Sequence, residues 1–142
     1  MGLLVNIVCA DEDEIESVGY SAQPLDEWSG IEVRDVDTGK WATLHCLLTG
    51  DDFEEALSAY EPVFASDALV LRIPDAATER LAAYDEDALE LVGEELAATE
   101  EFELAGWPLE DVQAFLVALG NLAQLAESQG QILLVWMHPL RT

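Results

Sequence analysis

The residues best suited to chemistry gather in one short stretch. Between Asp37 and Gly50, the sequence DTGKWATLHCLLTG holds Asp37, the only lysine, Lys40, then Trp41 and one of two histidines, His45. An imidazole titrates near neutral pH and can act as acid, base or ligand. Trp41, Leu44, His45 and Leu48 recur at i, i+3, i+4 and i+7, and Leu47 widens the stripe. A helix would therefore set indole and imidazole on adjacent turns of one face. The spacing equally suits a histidine at the edge of a core, with one ring nitrogen bonded. Cys46 follows His45 as a nucleophile follows a base only in the linear sequence, because adjacent helical residues do not face each other. The helix is bounded at both ends. Asp37 or Thr38 can cap its first turn, and Gly50 suits the left-handed position after its last.

This segment resembles the signature of the YfbM-like family, small bacterial proteins of unknown function. Asp37, Lys40, Trp41, Leu44, His45, Leu47, Leu48, Thr49 and Gly50 carry the resemblance, although Thr38-Gly39 lengthens the spacing between Asp37 and Lys40. Looser likeness continues through Arg72-Ile73-Pro74, the Trp107-Pro108 step, a long helix and a terminal strand. The resemblance implies one α/β domain over residues 1–142 and no particular activity. It marks Asp37, Lys40, Trp41 and His45 as candidate pocket residues.

Composition bounds what the chain can engage. Thirty Asp and Glu stand against five Lys and Arg, a formal net charge of −25 over 142 residues. Nucleic acid is excluded as a partner, since phosphate calls for cationic side chains. An anionic membrane surface is excluded on the same ground. A basic protein is the complementary partner; solubility or a salty cytoplasm would account for the same acidity. The candidate acidic surface comprises Asp11, Glu12, Asp13, Glu14, Asp51, Asp52, Glu54, Glu55, Glu94 and Glu95. The two cysteines, Cys9 and Cys46, make no disulfide framework and are expected as buried thiols. No signal peptide is recognised: Leu3–Val8 is too short and lacks a basic flank. The charge-free run Val112–Ala126 is too short and too polar to span a bilayer. A cytoplasmic location is expected. No phosphate loop, Cys-x-x-Cys or His-Glu-x-x-His occurs, and no spacing supports a metal site or a cofactor. The acidic run after Asp11 lacks the glycine and the twelfth-position glutamate of a calcium loop.

Along the chain, Leu3–Cys9 reads as a buried strand and Asp11 as the cap of a short helix with an acidic first turn. Residues 17–30 read as loop, with Trp28 anchored beneath it. Ile31–Val36 alternates as a half-exposed strand. After the organising helix, Asp52–Tyr60 is a second helix with Phe53, Ala56, Leu57 and Tyr60 inward, stopped by Pro62. Ala68–Ile73 is a strand. Helices follow from Pro74 and from Asp85, the latter with Leu89, Val92 and Leu96 inward and Glu90, Glu94 and Glu95 outward. Residues 102–108 read as a connection. The last helix, with Pro108 in its first turn and Gly130 after its end, carries an apolar stripe at 109, 112, 116, 119, 123 and 126. Gln131–Met137 reads as an interior strand.

These elements predict an α/β (α+β) fold: one domain, with a small mixed sheet of three to five strands covered by about six helices. The first and last strands should be interior, with the long helix packed across them. With no catalytic motif, the expected function is a non-enzymatic module engaging a basic protein, in the manner of an immunity protein or an inhibitor. The alternative is a small-ligand binder or enzyme with a pocket around Trp41 and His45.

Overall fold

The structure is a computed structural model that describes residues 3–138. Five strands form one sheet: β1 (Leu4–Ala10), β2 (Gly30–Arg34), β3 (Phe64–Ala65), β4 (Leu69–Arg72) and β5 (Ile132–His138). Their order is β2-β1-β5-β4-β3, so the first and last long strands lie side by side inside the sheet. Every pairing is antiparallel, not mixed. Residue patterns locate strands but not their directions; direction depends on which end of the sheet the intervening helices return the chain to. β1, apart from Asn6, and β5 up to Met137 read as apolar runs because both faces of each are covered.

Seven α-helices surround the sheet: α1 (Ile15–Tyr20), α2 (Thr38–Thr49), α3 (Phe53–Ala59), α4 (Asp75–Ala83), α5 (Glu86–Ala97), α6 (Glu100–Ala105) and α7 (Leu109–Gln129). Helices α2 and α4 to α7 line the core on one face, and α3 packs against α2. Val5, Ile7, Cys9, Leu71, Leu133 and Val135 of the strands pack there in one core with Trp41, Leu81, Leu96, Leu116 and Leu119. The other face is covered thinly, by α1 and a 3-10 turn at Pro24–Asp26. There Val8, Val70, Leu134 and Trp136 meet Ile15, Val18, Leu25, Trp28 and Phe64.

Local chemistry explains the helix limits. The Asp37 carboxylate accepts from Lys40 N at 3.1 Å, and Gly50 adopts φ 82° after α2. The Asp85 carboxylate accepts from Ala88 N at 2.8 Å and starts α5. Helix α5 crosses α7 closely: a Cβ on Gly120 would run into Leu89, and one on Gly93 would lie 3.0 Å from Gln113.

Several expectations are corrected. Residues 17–30 are not all loop; Ile15 and Val18 fold α1 against the sheet, a helix too short to show a period. Residues 102–108 contain most of α6, whose Phe102 is buried against Trp107. Leu109 is 44% exposed and Phe53 42%, each at the first residue of its helix, where the packed face has not yet begun. The two-residue strand β3 has too little sequence to carry an alternation. Cys46 is only partly buried, whereas Cys9 is buried and its thiol donates to the Leu122 carbonyl at 3.4 Å. Among the described residues, no helix is long and apolar enough to cross a membrane.

Candidate functional site

Helix α2 buries Trp41, Leu44, His45 and Leu48, as their spacing requires. At its end, Thr49 Oγ1 donates to the His45 carbonyl at 2.9 Å and accepts from Asp51 N at 3.2 Å. The left-handed Gly50 then folds the chain back, and Asp51 Oδ2 comes to 2.9 Å from His45 Nε2. On the other side of the ring, Nδ1 lies 3.3 Å from Tyr60 Oη, beyond the end of α3. Burial holds the Tyr60 phenol well above its ordinary pKa, so it stays protonated and can donate. A neutral imidazole satisfies both contacts: Nε2–H donates to Asp51 and Nδ1 accepts from Tyr60. The ring stands edge-on to Tyr60, which stacks on Trp41. The aromatic chain continues through Phe115 and Trp107 to Phe102.

An acid, an imidazole and a phenol in line could relay a proton. Access limits that role. His45 and Tyr60 are each 2% exposed, and Trp41 is 1% exposed. Neither Trp41 nor His45 lines the groove between α5 and α7 or the clefts beside α1 and the Pro24–Asp26 turn. The arrangement ties the α2 end to the α3 end through a polar network with both ring nitrogens engaged. Asp37 and Lys40 lie apart from it, at the first turn of α2, where their side chains approach to 3.9 Å. The structure thus joins Trp41 and His45 with Asp51 and Tyr60, and leaves Asp37 and Lys40 outside. Asp51 stood in the sequence only as a surface acid, and Tyr60 only as an apolar residue of α3. The Thr49-Gly50-Asp51 turn was the available signal for the first; nothing in sequence joins Tyr60 to His45. Cys46 is partly buried, and its thiol pKa is raised by burial and by Asp51 and Asp52. That disfavours a nucleophilic thiolate.

The acids divide by place. Glu12 accepts from Arg72 of β4 at 2.9 Å and ties the thin layer to the sheet, and Glu14 accepts from the Trp28 indole at 3.2 Å and joins two parts of that layer. Arg72 also reaches Asp75, at 3.2 Å. Asp52, Glu54 and Glu55 are exposed around the start of α3, and Asp11 and Asp13 are exposed beside the thin layer. A larger concentration lies elsewhere: eleven acids between Asp85 and Asp111, with no Lys or Arg among them. First-turn acids of α5, α6 and α7 complement the helix dipoles. Glu90, Glu94 and Glu95 have no such role. Glu94 and Glu95 are exposed, while Glu90 is half-buried in a groove between α5 and α7. That groove, about 520 Å³, has Glu86, Glu90 and Glu110 on its walls and Ala114, Val117 and Ala118 along α7. Gln113 spans it, donating to the Glu90 carbonyl at 3.2 Å. Among the described residues, no three His, Cys, Asp or Glu gather as a metal site would.

The fold is similar to that in the crystal structure of YfbM, a protein of unknown function from Escherichia coli. The match covers 94% of this chain and 99% of that one, with a TM-score of 0.50 and 16% sequence identity. At that identity the likeness concerns the fold. No family model and no curated protein matches the chain.

Proposed function

We propose that this chain is a YfbM-like protein acting as a non-enzymatic interaction module, and that it engages a basic protein through the α5–α7 groove. The groove carries the reading: Glu86, Glu90 and Glu110 rim a strip of small apolar side chains of α7. An amphipathic helix bearing Lys or Arg beside Ala or Leu complements both features, charge to charge and apolar stripe to apolar strip. Long-range attraction by a net charge of −25 would speed the encounter. An immunity protein or an inhibitor of a basic toxin or enzyme would work in this way. The burial of His45 and Tyr60 weighs against a catalytic pocket there.

The test is binding of a synthetic amphipathic helix with one lysine face and one alanine-leucine face. Wild-type affinity should fall as salt rises, and the triple change Glu86→Gln, Glu90→Gln, Glu110→Gln should weaken it by roughly tenfold or more. Unchanged affinity in the triple variant, with salt-dependent binding retained, would move the interface away from this groove.

A further inference from the structure

Strand β2 is an edge of the sheet, and its register with β1 decides which backbone groups it offers outward. Cys9 N donates to the Ser29 carbonyl and Asp35 N to the Leu3 carbonyl, each at 2.9 Å. These bonds flank the register that sets Leu4–Val8 against Gly30–Arg34. Opposed residues of an antiparallel pair alternate between bonded and non-bonded. Ile31 and Val33 therefore bond to β1, while Glu32 and Arg34 turn their N–H and C=O groups away from it. Helix α7 packs over one face of β2 and the Pro24–Asp26 turn over the other. Among the described residues, none bonds to the outward backbone groups of Glu32 or Arg34.

Open edges of natural sheets are commonly blunted by Pro, Lys, a bulge or a covering element. β2 has no Pro or Lys, and its register with β1 is unbroken. The other edge, β3, is only two residues long. On β2 the exposed side chains are Glu32 and Arg34, two residues apart and so on the same face. Neither forms an ion pair with a described residue. An edge carrying one sign of charge repels a copy of itself; an edge carrying both, side by side, can match one.

We propose that β2 pairs antiparallel with β2 of a second copy of this chain, about a two-fold axis at Val33, joining two five-stranded sheets into one. Charge selects that register. A centre at Glu32 sets two carboxylates opposite each other, and a centre at Ile31 leaves Arg34 outside the pairing. A centre at Val33 sets Glu32 opposite Arg34 of the second copy, twice over, and the outward groups of both residues exchange backbone hydrogen bonds. Val33, partly buried, then meets Val33 of the second copy on the helix-covered face. Asp35, at φ 61°, turns the chain out of the strand, so the pairing stops at Arg34. So short a contact falls well below the about 1,200 Å² of a standard interface, and the dimer should dissociate with a constant of about 0.1–1 mM. It uses no residue of the α5–α7 groove and stands independently of the basic-partner reading.

The experiment is analytical ultracentrifugation of the whole chain up to about 1 mM in about 0.5 M NaCl. At that salt the mutual repulsion of two chains of net charge −25 is screened more than charges in contact. A reversible monomer–dimer equilibrium is expected, and amide hydrogen exchange at Glu32 and Arg34 should slow as concentration rises. Both side chains are exposed, so their variants should fold as wild type. Glu32→Arg and Arg34→Glu should each weaken the dimer about tenfold or more, since each sets two like-charged pairs face to face. Glu32→Arg also lowers the net negative charge, so general repulsion alone predicts the opposite sign. Mixing the two variants should give a heterodimer, and combining both changes in one chain should regain wild-type affinity. A monomer at every concentration would overturn the proposal. So would a dimer indifferent to either reversal, or a double variant no tighter than the singles.

Discussion

On one face of the sheet, Val5, Ile7, Leu71, Leu133 and Val135 share a core with five helices; on the other, Val8, Val70 and Leu134 meet one short helix, a 3-10 turn and Trp28. The thick face engages its buried imidazole on both sides, and among the described residues leaves one side-chain donor unpaired, the Trp41 indole. The thin face leaves two, the Asn6 carboxamide and the Trp136 indole, on opposed residues of β1 and β5. Depth of cover separates the two roles. A multi-helix layer excludes water and places the bulk of the apolar burial, so it carries stability. A single thin layer buries less apolar surface against the sheet and so contributes less to stability.

The contrast breaks most completely at α7. Leu116 is fully buried at the centre of the thick face. Leu116→Asp would place an unpaired carboxylate there, so far-UV circular dichroism should show no folded protein. A variant that folds with native stability would show that α7 is peripheral.

Next in size is a matched pair of truncations. Trp41→Ala should cost about 3–5 kcal/mol in denaturant unfolding, as a buried aromatic does. Trp28 is only partly buried in the thin layer, and Trp28→Ala should cost about half as much or less. Equal costs would erase the distinction between the faces. His45→Gln should cost less than Trp41→Ala, since glutamine keeps a polar group near Asp51 and Tyr60. Loss of a ligand with unchanged stability would instead give His45 a functional role.

The thick face should also show itself in alkali. Burial raises the Cys9 thiol pKa from 9.0 to about 11. The native state then holds a proton that the unfolded state releases between those values, so stability falls as pH rises through the window. Below the unfolded value the contribution is complete. The loss should reach about 2–3 kcal/mol near pH 11, and Cys9→Ala should flatten that part of the profile. An identical alkaline slope in Cys9→Ala would show that another group is responsible.

The smallest effect is electrostatic. Thirty acids against five cations repel one another, and the Debye length shortens from about 10 Å at 0.1 M salt to about 3 Å at 1 M. The runs Asp11–Glu16, Asp51–Glu55 and Glu94–Glu103 hold neighbours within that range. The melting temperature should rise by about 2–4 °C from about 0.05 M to about 1 M NaCl. Glu86→Gln, Glu90→Gln and Glu110→Gln together should reduce that rise more than Asp13→Asn with Glu16→Gln beside the thin layer. A flat salt response in the wild type would remove repulsion as a feature of either face.

Local rules acting over a few residues made much of this legible in the sequence. Asp37 and Gly50 bound α2 because capping and a left-handed turn depend on residue type at single positions. The stripe from Val112 to Ala126 marked α7, and the apolar runs at Leu3 and Ile132 marked two interior strands, because burial imposes a period or removes it. Helix α6, at six residues, is too short for any period to show, and the cap at Asp11 announced a short helix without giving its extent to Tyr20. Strand direction and the meeting of Asp51 and Tyr60 on His45 lay beyond sequence for another reason. Each joins residues through turns, helix excursions or strand register. Only the packed chain decides which distant side chains share a face, because that choice minimises exposed apolar surface over the whole fold rather than over any one segment.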